Sequence, residues 1–81
     1  MRIRVVAFAR LREIVNAAET ELEVRAGARA GDAFTALAEA YPTLEDHRLS
    51  TRIACNGRLV APDYALHDGD EIALLPPVGG G

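Results

Sequence analysis

Eighty-one residues with a net charge of −3 describe one small domain, close to the lower size at which a single core holds without staples. The mild acidity leaves no electrostatic footprint for nucleic acid, and the lone cysteine, Cys55, excludes an internal disulfide. All nine basic residues are arginine, so the chain carries no lysine amine on which to build a polymer of itself. Met1-Arg2-Ile3-Arg4 leads into a strand pattern rather than a signal-peptide run, and no apolar stretch approaches a membrane span. A soluble, cytoplasmic protein is the expectation.

Residues 2–8 alternate, with Ile3, Val5 and Ala7 on one face and Arg4, Val6 and Phe8 on the other, which predicts a strand. Ala9 to Val15 changes to helical spacing through Leu11, Ile14 and Val15, a short helix ending near Asn16. Glu19 to Arg25 alternates again, with Leu22 and Val24 inward. Ala26 to Gly31 is a predicted loop, with Asp32 placed as the N-cap of the main helix. Phe34, Leu37, Ala38 and Tyr41 then follow i, i+3, i+4, i+7 until Pro42 stops the helix. Thr43 to Ser50 is polar and mixed, with one helical turn expected around Leu44 to His47.

Strands are predicted at 52–56 and 58–61, joined by Asn56-Gly57, a pair that accepts the positive φ of a tight hairpin. His67-Asp68-Gly69-Asp70 reads as a second turn, with Leu66 tucked inward. Ile72 to Leu75 is the last strand, ended by Pro76-Pro77, neither of which can donate to a ladder. One main helix on one face of a mixed sheet, without a βαβ repeat, is an α+β class, and the β-grasp arrangement fits it best. Residues 1–76 would form this domain and 77–81 a flexible glycine tail.

Little in the body offers chemistry. The glycines near Gly27 and Gly31 lack the spacing and lysine of a phosphate-binding loop, so no bound cofactor is expected. His47 and His67 have no metal-ligand spacing and read as solvated loop residues. Asp63, Asp68, Asp70 and Glu71 cluster, but turn chemistry accounts for Asp68-Gly69-Asp70 without a metal. Cys55 reads as a small buried hydrophobe. Alternation instead gathers Val6, Phe8 and Leu75, with Leu59, on the sheet face away from the helix, where polar residues would be expected. Such a cluster points to a partner surface.

The end of the chain is the other candidate. Pro76-Pro77 favours an extended exit, and Val78 to Gly81 would reach roughly 13–14 Å beyond it. Glycine lets a backbone pass where a Cβ would clash. A terminal carboxylate, with a reference pKa of roughly 3.3–3.7, is ionised and a poor electrophile. It would need activation by ATP on another enzyme.

Ala54-Cys55-Asn56-Gly57-Arg58-Leu59-Val60, Leu66-His67-Asp68-Gly69-Asp70-Glu71-Ile72-Ala73 and Pro76-Pro77-Val78 followed by glycines together resemble the MoaD family, the ubiquitin-like small subunits of molybdopterin synthase. Val6-Ala7-Phe8-Ala9-Arg10-Leu11-Arg12-Glu13 resembles that family's opening strand and helix. Gly79 departs from the Ser, Thr or Ala common there. The resemblance implies a β-grasp sulfur carrier that is not itself an enzyme. Gly81, preceded by Gly80, would be adenylated by a MoeB-type enzyme using ATP, then converted to a thiocarboxylate by a sulfurtransferase. The tail would donate sulfur to cyclic pyranopterin monophosphate inside the large subunit, MoaE, in a heterotetramer with two copies of each subunit. Phe8, Leu59, Leu75, Pro76, Pro77, Val78 and Gly79 would meet partners. ThiS-like carriers for thiazole or cysteine synthesis, and ubiquitin-like protein modifiers, share the fold and the glycine end. No nucleic acid, membrane or metal enters this expectation.

Overall fold

The computed structural model describes residues 1–77; the expectations placed on Val78, Gly79, Gly80 and Gly81 lie outside the described residues. β1 (Arg2–Ala7) buries every second residue, Ile3, Val5 and Ala7, as its alternation predicts. After Phe8 the chain turns sharply through Ala9, held at φ 53°, into α1 (Ala9–Val15), which Asn16 closes in the left-handed conformation. β2 (Glu19–Glu23) returns antiparallel to β1, with Val5 opposite Thr20.

α2 (Ala30–Ala40) buries Ala30, Ala33, Phe34, Leu37 and Ala38. It begins two residues before the expected cap. Arg29 holds the N-cap position, and Asp32 lies three residues inside, its carboxylate accepting the Arg29 amide at 2.8 Å. The first helical amides are satisfied from afar: Ala30 N donates to the Tyr64 carbonyl at 2.9 Å and Gly31 N to the Pro62 carbonyl at 2.8 Å. Gly31 permits this approach, since a Cβ there would meet the Pro62 oxygen at 3.2 Å.

Pro42–Ser50 forms a nine-residue 3₁₀-helix, longer than the single turn expected. It is anchored by Leu44, which is completely buried, and by Arg48, whose guanidinium lies 4.7 Å from the centre of the Phe34 ring and donates to Thr35 Oγ1 at 2.9 Å. β3 (Arg52–Cys55) and β4 (Arg58–Val60) form the hairpin expected at Asn56-Gly57, with φ of 50° and 86° at the two turn residues.

β5 (Glu71–Leu75) completes a five-stranded sheet in the order β2-β1-β5-β3-β4. β5 runs parallel to β1 and antiparallel to β3. The helices cover one face, where Ile3, Val5, Phe34, Leu37, Leu44, Ile72 and Leu74 join a single core. This is the expected β-grasp architecture, with one short helix and one 3₁₀-helix added to the main helix. Among the described residues no helix is long and apolar enough to cross a membrane.

Ile72 sits fully buried on the central strand. Truncating it should cost about 2–5 kcal/mol, since the lost methylenes leave a cavity that both β1 and β3 would have to collapse into. Urea unfolding of Ile72→Ala should show a lower midpoint at an unchanged slope.

Candidate functional site: the open sheet face and the base of the terminal arm

The face of the sheet away from the helices is built by register. Val6 pairs with Ala73, Ala73 with Ala54, and Ala54 with Leu59, so these four residues form one row across four strands. One step along, Ala7 pairs with Leu74, which brings Phe8 beside Leu75 at the end of β5. Phe8 is 46% exposed and Leu59 55% exposed, large apolar side chains left facing water. Leu75 is half-buried, Pro76 is half-buried and Pro77 is exposed.

The expected trio is therefore on one face, but not as immediate neighbours. Phe8 and Leu75 adjoin, while Leu59 lies two strand spacings from β5, about 10 Å away. Ala54 and Ala73 floor the space between them, giving a shallow apolar trough. Nothing in the sequence says which strands are neighbours, so the alanines' place in the patch was not visible.

The other half of the face is charged and internally paired. Arg4 sits 3.4 Å from Glu19 and 3.1 Å from Glu71, and Arg2 sits 3.4 Å from Glu23 and 3.7 Å from Glu21. Around the β4 edge, Phe34, Arg48, Leu49, Leu59, Val60 and Pro62 border a cleft of about 540 Å³. Leu49 projects fully into water beside it.

Within the acidic cluster, Asp68 and Asp70 are spent on holding the turn. Asp68 accepts the Arg2 amide at 2.8 Å, and Gly69, at φ 85°, donates to the Arg2 carbonyl at 2.8 Å. Asp70 accepts the His67 amide at 2.8 Å and the Asn56 carboxamide at 3.0 Å, and Asn56 in turn accepts the Glu71 amide at 3.0 Å. These bonds tie the turn before β5 to both β1 and the Asn56-Gly57 hairpin. Asp63 is apart from them, exposed in the loop whose backbone meets Arg29. No group of three or more His, Cys, Asp or Glu among the described residues could hold a metal ion.

Burial would raise the Asp70 pKa, but the His67 amide, the Asn56 carboxamide and the Cys55 thiol together hold it below the usual carboxylate value. The same contact works oppositely on Cys55. Burial, then the nearby Asp70 carboxylate, push its thiol up to about 11, so it is neither a thiolate nor a nucleophile at neutral pH. Asp70 and Cys55 are thus occupied structurally. His47 and His67 lie apart, on the 3₁₀-helix and in the turn before β5.

What remains is an exposed apolar face at the root of the terminal segment. The sequence model of the ThiS family matches residues 5–81. The chain belongs to the ThiS family. It is 36% identical over 83 residues to a molybdopterin synthase sulfur carrier subunit from Chlamydomonas reinhardtii, with 100% of both chains covered. Its fold matches the crystal structure of small archaeal modifier protein 1 from Haloferax volcanii with a TM-score of 0.88 at 33% identity, covering 100% of each chain. A protein–protein complex of subunits 1 and 2 of the molybdopterin-converting factor from Helicobacter pylori contains a further match, at TM-score 0.68 and 27% identity over 100% of each chain. The resemblance to the MoaD family carried by the motifs at the two ends of the chain is borne out by these relatives. Within this ThiS-family chain, Phe8, Leu59, Leu75, Pro76 and Pro77 are the expected partner residues that the structure describes.

Asp70→Asn should cost about 1–3 kcal/mol at neutral pH, because an amide nitrogen then faces a donor that the carboxylate had accepted. The folded-state pKa of Asp70 lies below its unfolded value. The carboxylate's contribution is therefore present above the unfolded value and lost as pH falls through the folded one. Thermal unfolding of the two proteins should converge in that acid window. Cys55 in the native wild type should stay unlabelled by iodoacetamide near neutral pH and react fully in urea.

Proposed function

We propose that this chain is the sulfur-carrier subunit of a molybdopterin synthase and that the carboxylate of Gly81 is its reacting group. One observation carries the reading: the ThiS family match runs to Gly81, and a carrier subunit from Chlamydomonas reinhardtii aligns over its whole length. The end of the chain, not a side chain, is then the chemistry. That agrees with a described body in which Cys55 and Asp70 are tied into the fold.

In this reading residues 1–76 are a rigid handle and 77–81 the arm that enters a partner. The Gly81 carboxylate attacks the α-phosphorus of ATP on a MoeB-type enzyme, releasing pyrophosphate and forming an acyl-adenylate. A sulfur at the oxidation level of sulfide, supplied through a sulfurtransferase, then displaces AMP and leaves a thiocarboxylate. ATP is a substrate of the activating partner, and no cofactor is held by this chain. The arm next enters the large subunit, which contributes the catalytic residues, and sulfur passes to cyclic pyranopterin monophosphate to build the molybdopterin dithiolene. The assembly would hold two copies of each subunit in the cytoplasm.

The apolar face supplies the dock. Phe8 and Leu75 adjoin at the root of the arm and Leu59 closes the far side of the trough. A partner covering them removes large apolar surfaces from water, the main source of affinity at an interface centre. Gly79 and Gly80, lacking side chains, let the arm thread a narrow channel, with Val78 meeting its mouth. The subunit 1 and 2 complex from Helicobacter pylori supports a large-subunit partner.

A second reading, conjugation of Gly81 to other proteins, is favoured by the likeness to small archaeal modifier protein 1. Its signature is an isopeptide-linked Gly81 in cell lysate.

Incubation with ATP, the activating enzyme and a sulfur source should replace one oxygen by sulfur at the terminus, read by intact mass. An unchanged mass in a reaction that consumes ATP would sink the carrier reading. Deleting Gly81 should leave thermal unfolding unchanged and abolish sulfur transfer. Phe8→Ala and Leu59→Ala should each weaken large-subunit binding by about 1–3 kcal/mol with unchanged circular dichroism.

A further inference from the structure

Strand alternation sends three arginines to the open face: Arg2 and Arg4 on β1, and Arg52 on β3. The first two are neutralised within the fold, between Glu21 and Glu23 and between Glu19 and Glu71 respectively. Arg52 is treated differently. Its partner in register is Leu75, and it forms no ion pair among the described residues. It is exposed, and it also borders the cleft that Leu59 and Val60 line. A guanidinium unpaired among the described residues therefore stands between the two ends of the apolar dock, at the base of the arm.

That position has a consequence for any partner. A surface that covers Leu75 and Leu59 together must strip water from the group between them, and a desolvated cation without a counter-charge opposes binding strongly. The planar guanidinium is suited to a two-pronged bond with a carboxylate. We propose that Arg52 is a specificity-determining contact of this dock, and that the synthase large subunit meets it with an aspartate or glutamate at the rim of the cleft that receives the arm. The inference rests on the carrier reading above. The apolar trough is non-directional and would tolerate rotation of the partner; one charged, bidentate contact beside Leu75 fixes the angle at which Pro76 and Pro77 leave the sheet. The paired half of the face, with Glu19, Glu21 and Glu23 along β2, would repel the same carboxylate. Only one orientation then brings acid to Arg52.

The test uses the full chain and the large subunit encoded in the same genome, with binding followed by surface plasmon resonance at low and high salt. Arg52→Gln should weaken binding about tenfold, mainly through faster dissociation, and flatten its salt dependence. Arg52→Glu should weaken it further, and Arg52→Lys, which keeps the charge but not the fork, should fall between wild type and Arg52→Gln. Arg58→Gln, at the hairpin tip on the opposite parity, should bind as wild type does. Wild-type affinity and salt slope in both Arg52→Gln and Arg52→Glu would overturn the inference while leaving the carrier reading intact. A wild-type chain that gains no sulfur and binds no large subunit would overturn both.

Discussion

The parallel pairing of β1 with β5 is the constraint on which the rest of the structure depends. It joins residues some seventy positions apart, Arg4 to Glu71 and Ala7 to Leu74, in the middle of the sheet. Every other strand attaches to one of these two: β2 to β1, β3 to β5, and β4 through β3. The closing turn reinforces it from outside the ladder, with Arg2 bonded to both Asp68 and Gly69 and Arg4 N donating to the Asp70 carbonyl at 3.0 Å. Because the two strands run the same way, their ends coincide. Phe8 and the root of the terminal segment therefore emerge side by side.

That coincidence explains why a small body suits the role proposed for it. A terminus that must be presented to several proteins needs a fixed base, and β5 is the central strand, paired on both edges. Pairing ends where Pro76-Pro77 begins, since proline has no amide to offer. Asp70 and Asn56 then lock the opposite end of β5 to the hairpin. The strand is pinned at both ends, so motion at its exit is not fed by slack beneath it.

Much of this was legible from residue order. Two-fold alternation in β1 and β5 assigned Ile3, Val5, Ile72 and Leu74 to the core and Val6, Phe8 and Leu75 to the other face, and both assignments hold. Asn56-Gly57 located a hairpin because its backbone demand is local. What escaped was non-local. The start of α2 is set by carbonyls of Pro62 and Tyr64, more than thirty residues downstream, so Asp32 looked like a cap when it supports one. Leu44 sits in a polar stretch whose 3₁₀ path no simple periodicity marks, yet it is wholly buried. Strand order, which puts Arg52 beside Leu75 and Ala54 beside Ala73, is likewise absent from any single strand's pattern.

The division of the open face into two halves follows from the same order. β2 is an edge strand, and an edge invites pairing with other chains unless it is guarded. Glu19, Glu21 and Glu23 guard it, and each is ion-paired with Arg2 or Arg4 on the neighbouring strand. An ion-paired lattice of this kind gains little by being buried, because each pair would surrender water for bonds it already has. In the proposed reading, binding is thus disfavoured over β2 and β1's charged end and left to the strip where Val6, Ala73, Ala54 and Leu59 line up next to Phe8 and Leu75. The strip adjoins Leu75, the last residue of β5. A guarded edge on one side and an apolar trough on the other give the sheet a polarity, and in the proposed reading this polarity directs a partner to the end of the chain where the proposed chemistry lies.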